Sequence, residues 1–301
     1  MNNLKKIIVC PVCLKGLSLK MGHYYCPECG RSYAVKEGIP VLVKGEIFDS
    51  QIQNKEYEWK RKEILVFDAV DDYEKFMSRP YFRDLKEQIS QELKLLKDNK
   101  NEVLEVGAGI SLFAPMFADK NLVLTDLSFS LLRKNEAHIF KVVADGEYLP
   151  FADQSFDFIY VIGLIHHLPN QRRGLKELKR LVRPGGQIFL SEPTKWSFNL
   201  IYYLVRRLLL KIMGERWLKR LSGCGTPYES FINLKLVKEI FKDDFEIKVK
   251  KIFPCRWPPL LFLEKMKIIV PLNKFWQKVP LVRNFGSIIF ITLTRKKYYG
   301  V

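Results

Sequence analysis

The stretch "NEVLEVGAGISLFAPMFA", residues 101–118, reads as a short apolar strand, Val103 to Val106, that runs into Gly107-Ala108-Gly109 and then a helical segment. A nucleotide-binding βα unit starts this way, because a side chain at the glycine positions would keep the backbone from approaching a ligand. The third glycine of a dinucleotide fingerprint is missing, and the loop continues through Ile110 and Ser111. Taken alone, the glycines are equally those of a plain tight turn, so the reading rests on the segments downstream of them.

"NLVLTDLS", 121–128, supplies a second strand ending in Asp126, 21 residues after Glu105. An acid at that place can accept hydrogen bonds from both hydroxyls of a ribose, although it could also be a helix N-cap. "FKVVADGEYLPF" gives a third strand leading to Asp145, "FDFIYVIGLIHHL" a fourth, and "LKELKRLVRPGGQIFLSEP" a helix, a Pro-Gly-Gly turn and a fifth strand. After these, "TPYESFINLKLVKEIFKD" reads as a helix, and "FEIKVKKIF" and "SIIFITLTRK" as the sixth and seventh strands. Strands alternating with helices at this rhythm predict an α/β fold with a doubly wound, mostly parallel seven-stranded sheet and its ligand at the carboxyl ends of the strands.

The ordered series E-V-G-x-G, D-L-S, A-D-x-E-x-L-P-F, F-D, H-H-L and L-x-x-P-G-G over residues 101–193 resembles the class I S-adenosylmethionine-dependent methyltransferases, in the branch with the ubiquinone/menaquinone C-methyltransferases. The resemblance implies a Rossmann-like methyltransferase fold with S-adenosyl-L-methionine as cofactor. It places Glu105, Gly107 and Gly109 at the methionine and ribose end, Asp126 at the ribose hydroxyls, Asp145 and Gly146 at the adenine, Ile162 and Gly163 beside the cofactor at the end of the fourth strand, and Leu127 among the cofactor-binding residues. NAD is the competing ligand for such a unit, and the missing third glycine argues against it.

Methyl transfer from a sulfonium is an in-line displacement, so holding nucleophile and methyl in line is the main task. A general base is optional; His166, His167 and Glu192, at the ends of the fourth and fifth strands, are the candidates, with loop orientation the alternative role for the histidines.

Ahead of this unit stand "CPVC" and, twelve residues later, "CPEC": Cys10, Cys13, Cys26 and Cys29. Two C-x-x-C knuckles put four thiolates on one Zn2+, closing a tetrahedral structural site with no open position for chemistry. Residues 1–45 are expected to form this four-cysteine zinc ribbon, with "HYYC" and "RSYAVKEGIPVLV" as its strands, and removal of the metal to unfold it while the core sheet stays folded. A redox pair or disulfides are the weaker readings, and Cys224 and Cys255 stand alone. The layout resembles ribosomal RNA guanine methyltransferases, and the "GIPVLV" ending resembles a generic module found beside many methyltransferases. Residues 46–100 read as two or three helices linking ribbon to core, and 101–301 as the methyltransferase domain.

The charge is uneven: 18 Lys and Arg against 15 Asp and Glu in 1–100, 10 against 11 in 101–193, and 22 against 7 in 194–301. Two basic, apolar insertions, at about 196–222 and 254–285, account for much of this. By the family resemblance they sit over the substrate side of the cleft. In "FNLIYYLVRRLLLKIMGERWLKRL", 198–221, charged and apolar residues segregate at helical spacing into two pieces hinged near Gly214, as surface-lying helices require, although a lid over the cleft fits equally. The expected acceptor is a hydrophobic or lipid-linked molecule reached at an anionic membrane surface, with RNA as the alternative partner and a non-catalytic scaffold as a further reading. No apolar run reaches the ~20 residues of a transmembrane helix. Six cysteines without an export signal point to the cytoplasm, with peripheral attachment at the inner face of the membrane.

Overall fold

The structure, a computed structural model, describes residues 7–68, 80–136, 138–194, 230–252 and 287–297, together with Leu208 and Phe275. Four short strands come first: β1 (Ser18–Lys20), β2 (His23–Tyr25), β3 (Ser32–Lys36) and β4 (Ile39–Pro40), an antiparallel ribbon in the order β1-β2-β3-β4. The helices α1 (Lys55–Asp68) and α2 (Pro80–Leu96) come next along the chain. The core sheet contains β5 (Glu102–Val106), β6 (Asn121–Asp126), β7 (Phe140–Val143), β8 (Phe156–Ile162), β9 (Val182–Pro193), β10 (Phe245–Ile252) and β11 (Ile288–Arg295). Between them lie the single turn α3 (Phe129–Leu132), α4 (Gln171–Leu181) and α5 (Leu234–Phe241).

The sheet runs β10-β11-β9-β8-β5-β6-β7, with β11 antiparallel to both β9 and β10 and every other pairing parallel. From β5 the chain winds outward through β6 and β7, then returns to the other side of β5 for β8 and β9. The order reverses between β5 and β8, where a doubly wound sheet leaves a crevice for a ligand.

Buried parallel strands are apolar on both faces, since helices cover both. In β8, Ile159 and Val161 pack on one side with Leu175, Leu178 and Leu181 of α4, while Phe158 and Tyr160 pack on the other with Ile89 and Leu93 of α2. The three leucines of α4 recur every third residue and so form one stripe. Asn170 starts α4 by accepting from the Arg173 amide at 3.1 Å, and Asn233 does the same for α5 from Leu236 at 3.2 Å.

Two local expectations change. The segment after the glycine loop is a one-turn 3-10 helix, Ala114–Phe117, with Pro115 in its first turn. The Pro-Gly-Gly turn lies inside β9 as a register break, Phe156 pairing with Val182 but Phe158 with Gln187; Gly185, at φ 76°, absorbs it.

The ribbon is built onto the sheet. Leu42 donates its amide to Val143 O (2.9 Å), Val9 to Pro150 O (2.9 Å), and Ala152 to Ile7 O (2.8 Å). Ile8, Cys10, Tyr24, Cys26, Tyr33 and Leu42 belong to the same buried cluster as the core strands. The ribbon thereby covers the β7 edge, which would otherwise present unpaired backbone groups. The basic insertions at about 196–222 and 254–285, with Cys224 and Cys255, lie outside the described residues, except that Leu208 and Phe275 are helical and exposed.

Candidate active site

At the carboxyl ends of β5 and β6 the backbone itself forms the floor of a cleft. Gly107 and Ala108 donate their amides to Thr125 O at 2.8 and 2.9 Å, and Gly109 donates to Asp126 Oδ2 at 2.8 Å. Gly107 sits at φ 74°, and a Cβ there would meet Leu164 Cβ at 2.9 Å, so both the turn and the close approach need glycine. Asp126 Oδ1 accepts from the Ser128 amide at 2.8 Å, which pins the carboxylate between the loop and α3. Burial pushes its carboxyl above the usual range, and the amides that it accepts from oppose this.

The cleft is concave and partly open to solvent, and it is lined by Gly107, Gly109, Asp126, Leu127, Asp145, Gly146, Ile162 and Gly163. Glu105 is not among its walls. It lies under the loop, where its carboxylate accepts from the Ser111 hydroxyl and from Tyr160 OH (2.8 Å), and burial pushes its carboxyl up to about 7.

The outer wall comes from α1, which brings Lys60, Glu63, Ile64 and Phe67 to the cleft. Lys60 is buried and uses all three ammonium protons, on Asp145 Oδ2 (2.7 Å), Glu147 Oε2 (3.0 Å) and Glu56 Oε1 (3.0 Å). Burial alone would pull its pKa down, but Asp145 and Glu147 hold it well above the usual lysine value. Arg173 of α4 joins the same carboxylates, at 3.0 Å from Glu56 and 3.2 Å from Glu147. At its far end α1 is held by Asp68, which accepts from the hydroxyls of Ser128 and Ser130. The helix thus spans the cleft from the Asp145 side to the Asp126 side.

The three candidates for proton transfer separate cleanly. Glu192 is fully buried and caps the turn Ile165–His167 from behind, accepting from the amides of Leu164 (3.0 Å) and Ile165 (2.8 Å) and pairing with His166 Nδ1 at 2.7 Å. Glu192 and His166 therefore orient the turn and are not among the cleft's walls. His167 does line the cleft; its Nδ1 is 3.2 Å from Glu63 Oε2, and its ring meets Phe67 edge-on with centroids 5.5 Å apart.

About the four cysteines, every Sγ lies within 4.8 Å of the others, with Cys10–Cys29 at 3.6 Å and Cys13–Cys26 at 3.5 Å. Tetrahedral coordination at ~2.3 Å per bond sets sulfurs roughly 3.8 Å apart, whereas a disulfide needs ~2.05 Å. The donor set fits zinc.

Reading the sequence missed the whole α1 wall. Lys60 and Glu63 carry no local mark, because the groups that bury them lie far along the chain: Asp145 is 85 residues from Lys60.

Comparison with known proteins points the same way. Residues 104–190 match the methyltransferase domain family. A demethylmenaquinone methyltransferase of Corynebacterium glutamicum is 33% identical over 115 residues, covering 36% of this chain and 50% of that protein. The chain thus spans about half the length of the curated relatives that head the comparison. An uncharacterized protein of Methanocaldococcus jannaschii is 31% identical over 189 residues, covering 59% of this chain and 86% of that one. A SAM-dependent methyltransferase from Archaeoglobus fulgidus superposes with a TM-score of 0.51 at 15% identity, over 75% of this chain and 100% of that chain. Another from Thermotoga maritima gives 0.50 at 18%, over 78% and 100%. At these identities the structural likeness is one of fold.

Proposed function

We propose that this chain, which belongs to the S-adenosylmethionine-dependent methyltransferases, transfers the methyl group of S-adenosylmethionine to a hydrophobic or lipid-linked small molecule at a membrane surface. The observation that carries the reading is the cleft itself, where a backbone loop at Gly107–Gly109 and the Asp126 carboxylate face an apolar wall of Ile64, Phe67, Leu164 and Leu168. In this reading Asp126 accepts from the ribose hydroxyls, Asp145 with Gly146 meets the adenine, and the glycine loop leaves room for the methionine end. The sulfonium supplies an activated methyl; the protein's part is to align the acceptor with it and exclude water. Glu105 keeps the loop in shape from below. Cys10, Cys13, Cys26 and Cys29 would hold a zinc ion and, with all four donors supplied by the protein, it would serve structure alone.

Asp126→Ala is expected to weaken S-adenosylmethionine binding by roughly 1.5–3 kcal/mol, the worth of charge-assisted hydrogen bonds to the hydroxyls. Isothermal calorimetry decides it, and unchanged affinity in a folded variant would remove the ribose from Asp126.

The acceptor class draws support from the apolar wall and from the basic, apolar stretch at 198–221. Each Lys or Arg near anionic lipid contributes about 1 kcal/mol. The protein is therefore expected to float with anionic liposomes, less so at high salt, and not with neutral ones. Among the described residues no helix is long and apolar enough to cross a membrane. Protein that stays in solution with both kinds of liposome while binding ribosomal RNA tightly would transfer the assignment to RNA. Labelled S-adenosylmethionine offered with membrane-lipid and RNA fractions identifies which accepts the methyl.

A further inference from the structure

We propose that Glu63, on the helix ahead of the methyltransferase core, is the positioning residue for His167 and makes it the base that receives the acceptor's proton. Glu63 is 8% exposed and faces the cleft, and neither of its carboxylate oxygens has a hydrogen-bond partner among the described residues. A buried carboxylate left in that condition is costly, so such groups are kept where they act on a neighbour. Its ion-pair neighbour among the described residues is His167 Nδ1 at 3.2 Å, a short adjustment from a charge-assisted hydrogen bond. Phe67, one turn further along α1, holds the imidazole edge-on. Lys60 and Asp68 help to fasten α1 across the cleft, with Glu63 between them beside His167.

The chemistry is set by the tautomer. With Nδ1–H directed to Glu63, the other ring nitrogen keeps its lone pair and accepts the proton of the acceptor group. As that group bonds to the methyl carbon, the carbon–sulfur bond breaks, its electron pair stays on sulfur, and S-adenosylhomocysteine leaves. Imidazolium and Glu63 carboxylate then neutralise one another inside the cleft. Among the described residues, the titratable and charged groups around His167 are Glu63 on α1; His166 on its own turn, ring centroids 4.0 Å apart, with Glu192 of β9 behind it; and Lys60, Asp145 and Asp126 along the cleft. His166 is already paired with Glu192, and among the described residues Glu63 is the carboxylate beside His167.

This inference rests on the methyltransferase reading for its purpose, and its test does not need the acceptor. The chain has four histidines, so ¹⁵N-histidine spectra of the full-length zinc-loaded protein resolve each ring, and H167Q identifies the signal of interest. In the wild type the His167 ring should be protonated on Nδ1 when neutral. In E63Q that preference should be lost and the titration midpoint should fall by about half a unit to one unit, since an opposite charge has gone. E63D, which keeps the charge but withdraws it by one methylene, should fall between the two and serves if E63Q does not fold. A His167 ring whose tautomer and midpoint match the wild type in the folded variants overturns the proposal. Calorimetry of the wild type with S-adenosylhomocysteine tests the methyltransferase reading separately: absent binding defeats that reading, while the ring spectra alone judge the pair.

Discussion

Replacing Lys60 by methionine is expected to destabilise the zinc-loaded protein by about 3–5 kcal/mol, the cost of leaving a buried charge network without one of its partners. Methionine keeps the packing of the unbranched stem and removes only the ammonium. Asp145, Glu147 and Glu56 would then share Arg173 as the one remaining cation of the described network, and Asp145 and Glu147 have side chains only 2% and 0% exposed. Water cannot readily take the place of the lost charge. Because Lys60 fastens the near end of α1, the same change should also weaken S-adenosylhomocysteine binding. Urea unfolding of both proteins measures the first effect and calorimetry the second. A loss of stability below about 1 kcal/mol, the scale of an exposed pair, would mean that the network is solvated and that α1 is held by its apolar contacts.

The second large effect is expected from the zinc ion proposed for the four cysteines. Zinc sites of this kind carry apparent binding free energies of roughly 10–16 kcal/mol at neutral pH, and so small a unit cannot bury enough surface to fold without one. Stripping the zinc should therefore melt the ribbon. The effect should reach further. The amides of Val9 and Leu42, and that of Ala152, form the bonds that bracket residues 143–152, the segment that carries Asp145 and Gly146. Hydrogen exchange at all three amides is expected to accelerate together on chelation, while amides within β8 and β9 stay protected. Unchanged exchange at Ala152 would show that the ribbon and the cleft are independent, and elemental analysis without zinc in protein purified away from chelators would remove the metal altogether.

The strands and the floor of the cleft were legible because their signals are local. Val103 to Val106, the glycines after them, Asp126 five residues into its strand, and Asp145 after the next lie where an apolar run ends, and each run's end becomes a carboxyl end of the sheet. The cysteine spacing carried the ribbon in the same way, since two knuckles of fixed length leave few ways to place four sulfurs. What the spacing does not carry is the packing of the ribbon, whose inner face continues the core cluster.

Local signals could not supply orientation. His166 and His167 are adjacent and chemically identical, yet one faces Glu192 behind the turn and the other faces the cleft. Lys60 and Glu63 sit in a helix whose sequence, "KEYEWKRKEILVFD", looks like a solvated linker, and nothing in it says which charges will be buried. The sequence by itself determined the order of the strands along the chain, the glycine loop and the cysteine set, because periodicity and spacing act over a few residues. Only the tertiary structure decided that α1 closes the cleft, that Lys60 meets Asp145 and that Glu63 meets His167, because the burial of a charge depends on partners that folding brings together from distant parts of the chain.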